Sequence, residues 1–125
     1  MEDRLAERIR LFRESGQVRP AVADFVSAEL EALAAEELPV SEETAGMLTS
    51  HLMMALTRLL NGESIDEFPA DEHIADELAE QPEAVARARA VTERAQGTLG
   101  AALPQSEINF LALHLAVLAQ RSATR

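Results

Sequence analysis

The sequence predicts an all-α fold: a compact bundle of five helices in antiparallel pairs, with one more helix ahead of it. Three observations carry this. Apolar residues recur at intervals of three and four in every long segment. Caps and breakers divide the chain at regular distances. No segment shows the strict alternation of a half-buried strand. Alanine and leucine dominate the composition, which also favours helix.

The first helix is expected over residues 2–14, with Leu5, Ile9 and Phe12 at helical spacing and Ser15-Gly16 as its stop. The second opens near Pro20, a residue suited to a first helical position, and buries Val22, Phe25, Val26, Leu30 and Leu33. Leu38-Pro39 breaks the chain. Ser41 caps the third helix, and Glu42 and Glu43 suit the dipole in its first turn. That helix runs to about Asn61 and ends on Gly62, with Leu48, Leu52, Leu56 and Leu59 on its inner face. A connector containing Phe68-Pro69 leads to a short helix over residues 71–80, with Ile74 and Leu78 inward. Pro82 opens the fifth, which runs to Gly97 or Gly100 and carries Leu99 inward. Leu103-Pro104 is the last break, and Ser106 is expected to cap a final helix with Ile108, Leu111, Leu115 and Leu118 along one stripe. The expected organisation is a helical extension over residues 1–18 and a helical domain over residues 19–125. The extension is amphipathic without an evident place in a five-helix bundle. A homodimer that buries its stripe against a second copy is therefore expected.

Composition narrows the chemistry. Cysteine is absent, so neither a disulfide framework nor a thiolate metal site can form. The eleven basic residues are all arginine, which excludes Schiff-base chemistry on a lysine. A formal charge of -11 disfavours direct binding to nucleic acid or to anionic membrane. No signal peptide or membrane span is read, so the expected compartment is the cytoplasm. Glycine-rich phosphate loops and nucleophile elbows are missing, and no cofactor is expected.

Two histidines remain as candidates. The third and last helices share an echo: Leu38-Pro39-Val40-Ser41-Glu42 and Leu103-Pro104-Gln105-Ser106-Glu107 each lead into Leu-x-x-His-Leu. His51 and His114 thus stand at the margin of an apolar stripe. Neutral imidazole is nucleophilic and can hold a phosphoryl group as a transferable phosphoramidate, helped when its other nitrogen donates to a carboxylate or carbonyl. The competing reading of each is a half-buried histidine that only hydrogen-bonds. Arg58 follows His51 by seven residues, and Glu107 precedes His114 by seven. Each pair shares a helix face at a separation of ~10 Å. Arg58 is either a partner for an added phosphate or a surface ion-pair residue. Glu107 is either part of the site or a first-turn carboxylate serving the dipole. His73, among Asp71, Glu72 and Asp76, is read as an exposed structural residue, and metal ligation by that group is the weaker alternative.

These motifs resemble the PTS regulation domain, a regulatory family of the bacterial sugar phosphotransferase system. The resemblance rests on the run from Leu48 through His51 to Arg58 with its Asn61-Gly62 ending, and on the run from Leu103 through Glu107 to His114-Leu115. It covers about residues 20–120. It implies a five-helix bundle, phosphoacceptor roles for His51 and His114, and supporting polar roles for Arg58 and Glu107. It also implies HPr or a sugar-specific enzyme II as phosphodonor, and a dimer whose arrangement shifts on phosphorylation. Many members carry aspartate just before the first histidine, where this chain has Ser50. No attached RNA-binding or DNA-binding module is expected, and signalling through an unidentified regulatory protein partner is expected instead. The alternative is a dimeric helical interaction module that does not use histidine phosphorylation. A histidine-carboxylate metal enzyme is a third and weaker reading.

Overall fold

A computed structural model describes residues 2–63 and 72–123, and their side chains except those of residues 72–75 and 122–123. It contains six helices: α1 (Asp3–Glu14), α2 (Pro20–Ala35), α3 (Glu42–Leu60), α4 (Glu72–Ala79), α5 (Pro82–Leu99) and α6 (Gln105–Ala123). Among the described residues no strand is present. The all-α architecture follows from the periodicity read in the sequence.

Two helix ends position the site. Ser41 caps α3 through a reciprocal pair: its hydroxyl accepts from the Thr44 amide at 3.3 Å, and the Thr44 hydroxyl accepts from the Ser41 amide at 2.9 Å. At the far end Gly62 adopts φ +76°, and the amides of Gly62 and Glu63 donate back to the carbonyls of Leu59 and Arg58. This double closure ends α3 one turn beyond Arg58 and needs a residue that tolerates positive φ. The last helix starts earlier than its cap residue predicts. The Pro104 carbonyl accepts from Glu107 and Ile108, which puts Ser106 inside the first turn, its hydroxyl buried without a partner. The reason is the anchored entry: the Leu103 amide donates to the Thr92 hydroxyl at 2.8 Å, and the Leu103 side chain is buried.

Helices α5 and α6 form a tight hairpin across the Gly100–Pro104 link, while α2 and α3 pack together and against α1. One core joins these elements. Leu48, Leu52, Leu56, Leu111, Leu115 and Leu118 are buried in it, as expected. Leu78 and Leu99 are only half-buried: Leu78 lines an open groove with Val85 and Arg89, and Leu99 is the last residue of α5. Ile74 and His73 lie outside the described side chains.

The apolar stripe of α1 is not left for a second copy. Leu5 is 0% exposed and Ile9 7% exposed within the single chain, against α2 and α3. Burying one such leucine contributes roughly 1.5–3 kcal/mol, so α1 is docked by its own apolar face. The argument that α1 needs a partner chain therefore falls, and substituting Leu5 and Ile9 tests docking of α1 rather than dimer formation.

Candidate functional site

Helices α3 and α6 face each other, and each presents one row of side chains along the seam. On α3 the row is Met47, His51, Met54 and Arg58; on α6 it is Glu107, Phe110 and His114. Both rows follow the three- and four-residue steps of a helix face. The seam brings together residues that stand 56 positions apart in the chain.

Glu107 pairs with His51, not with the histidine on its own helix. Its carboxylate lies 2.5 Å from His51 Nε2. Glu107 is 4% exposed, whereas the His51 side chain is 30% exposed. A buried carboxylate accepting from Nε2–H selects that tautomer and places the ring lone pair on Nδ1. The His51 ring also stacks on Phe110, at 4.1 Å between centroids and an interplanar angle of 25°. Phe110 also meets His114, at 4.4 Å and 43°. One phenyl ring therefore bridges two imidazoles, which brings the histidines of the two helices close together. His114 is partly buried. Desolvation first, and the neighbouring His51 second, hold its pKa below the usual histidine value, so its neutral form is favoured.

A cleft of about 580 Å³ opens beside His51. Ser50, His51, Met54 and Arg58 supply its α3 wall, Glu107 closes its floor, and Met47 stands at its mouth, 73% exposed. His114 does not line it, so proximity does not extend to a shared opening. Arg58 is exposed and forms no ion pair among the described residues. Arg8 of α1 completes the lining, and its Nη1 donates to Ser50 Oγ at 3.0 Å. Sequence reasoning named His51, His114, Arg58 and Glu107, and the structure gathers the first, second and fourth around Phe110 with Arg58 on the cleft rim. It did not single out Phe110 or Arg8, and it noted Ser50 only as a departure from the family pattern. Phe110 was legible as the residue between Glu107 and His114 on one helix face. Arg8 was not, since no spacing in α1 points to α3. Among the described residues no group of three or more histidine and acidic side chains could hold a metal ion, and His73 is outside that set.

The family model for the PRD domain matches residues 28–118. The chain belongs to the PRD family. This PRD contains the whole seam within the matched region: His51, Arg58, Glu107, Phe110 and His114. The family is one of regulatory domains of the phosphotransferase system rather than of catalysts. Helix α1, with Arg8, precedes the matched region. Neither the curated proteins nor the solved structures searched contain a match to the chain. Among the described residues of this PRD, no helix is long and apolar enough to cross a membrane.

Proposed function

We propose that this PRD is a phosphorylation-responsive regulator in the cytoplasm, taking phosphoryl groups on His51 and His114 from HPr or an enzyme II. Its output runs through a regulatory protein partner, with the domain acting as a homodimer in sugar-operon control. The observation that carries this reading is the Glu107 carboxylate buried against His51 Nε2 beside an open cleft. In the transfer step the His51 lone pair attacks the phosphorus of a donor phosphohistidine. The new N–P bond forms as the donor's N–P bond breaks, and that electron pair returns to the donor imidazole. His51 gains positive charge on its ring, and Glu107 stabilises it through the Nε2–H it already accepts. His114, held neutral by burial, keeps the same nucleophilic form at physiological pH.

The phosphoryl group adds roughly -1.5 to -2 charges to a chain whose formal charge is already -11. Nearby arginines decide whether this tightens or loosens an interface. The test is transfer of labelled phosphate from a reconstituted donor system to the wild type, His51→Ala, His114→Ala and the double variant. Acid-labile label that disappears in the double variant is the expected result. Label persisting there refutes the sites. No label from any donor leaves a helical interaction module as the better reading.

A further inference from the structure

Arg8 is the basic residue built most firmly into the cleft, and it comes from outside the region that matches the family. Its Nε donates to both oxygens of Glu42, at 2.9 and 3.0 Å, and Nη2 reaches the same carboxylate. Nη1 points the other way, to Ser50 Oγ at 3.0 Å, next to His51 in sequence. The guanidinium is thus held by one edge and offered by the other. The sequence makes room for this arrangement at Gly46. A Cβ there would stand 3.1 Å from Glu42 Oε1 and 3.3 Å from Arg8 Nε, so the pair lies over a helix-interior glycine. Glycine in a helix interior is less favourable than alanine, and here it admits the arginine to the face of α3.

We propose that Arg8 is the phosphate-holding residue of the His51 cleft, its Nη1 exchanging the Ser50 hydroxyl for a phosphoryl oxygen while Glu42 keeps the rest of the guanidinium in place. The exchange replaces a neutral acceptor by an anionic one, which strengthens the hydrogen bond. It also ties α1 to the state of His51, because Arg8 stands one turn after Leu5 and next to Ile9 in sequence, the residues that dock the helix. This inference rests on His51 being a phosphoacceptor.

The test loads the full chain with phosphoramidate, whose P–N bond breaks with loss of ammonia as the bond to the His51 imidazole forms. His73→Gln and His114→Gln in the background confine the signal to His51. Titration of the phosphoryl group by ³¹P NMR then reads its second ionisation. A guanidinium in contact favours the dianion, so Arg8→Ala should raise that pKa by about one unit, and Arg8→Lys by less. Arg4→Ala removes a positive charge from the same helix but does not touch the cleft, and should leave the pKa in place. An unmoved pKa in Arg8→Ala, or an equal shift in Arg4→Ala, overturns the proposal and leaves Arg8 as a residue that only pins α1. Failure of phosphoramidate to label His51 overturns the phosphoacceptor reading itself, and this proposal with it.

Discussion

Glu107→Gln separates the charge of the carboxylate from its shape. Gln keeps an oxygen that can accept from His51 Nε2, and it fits the space Glu107 fills at 4% exposure. The charge-assisted bond is replaced by a neutral one. Bonds to charged groups contribute about 1.5–3 kcal/mol and neutral ones about 0.5–1.5 kcal/mol, so the charge accounts for about 1–1.5 kcal/mol at this buried contact. Two consequences of losing it oppose each other. The incoming phosphoryl group meets less negative charge, which favours transfer. The ring that becomes cationic loses its stabilising carboxylate, which disfavours it. The second effect should win, because the carboxylate touches the ring at 2.5 Å. On the proposed function the phosphoryl group would bind the opposite ring nitrogen, in the cleft that Arg8 and Arg58 also line. The expected outcome is a fall of about five- to thirteenfold in the initial rate of His51 labelling by phosphoramidate, on a His114→Gln background and with the fold retained by circular dichroism. A rate within twofold of the parent, or a faster one, refutes the reasoning that Glu107 acts through charge.

Leu5→Ala should cost about 2–5 kcal/mol in urea unfolding, because Leu5 is 0% exposed within one chain; a loss below about 1 kcal/mol would make α1 peripheral. The lowered pKa of His114 sets a pH dependence: its contribution to stability is intact above the ordinary histidine pKa of about 6.5 and is lost as pH falls through the lower folded value. The urea midpoint should therefore drop between about pH 7.5 and about pH 5.5, less so in His114→Gln, and an equal drop in both proteins contradicts the assignment. Arg94 donates to the buried carboxylate of Glu29 at 2.6 and 2.7 Å, tying α5 to α2. Because Arg94 is half exposed, Arg94→Ala should cost about 1–2 kcal/mol rather than the full penalty of a buried pair. Adding Glu29→Ala should recover part of it, and a double variant as unstable as the summed single losses would argue against an orphaned charge.

Much of the site's chemistry was legible because histidine is rare here and its helical neighbours are fixed by spacing. His51 with Arg58, and Glu107 with His114, lie on common faces whatever the helices pack against. The partner of Glu107 was not legible: spacing along α6 places it on the face of His114 without naming what it touches, and the partner stands across the seam on α3. Ser106 shows a similar limit. It has the chemistry of a cap, yet the buried Leu103 and the bond from its amide to Thr92 start the helix earlier.

The sequence by itself determined the helices, the breaks between them and the apolar stripes, since these depend on residues within a few positions of one another. It also determined which side chains could carry phosphoryl chemistry. Only the tertiary structure decided that Phe110 joins the two histidines, that Glu107 fixes the ring of His51, and that α1 folds back to bring Arg8 over Gly46. Those contacts span from 34 to 56 positions for Arg8–Glu42 and His51–Glu107. They depend on how apolar faces settle together, and helical periodicity names the face that is buried without naming the face that buries it.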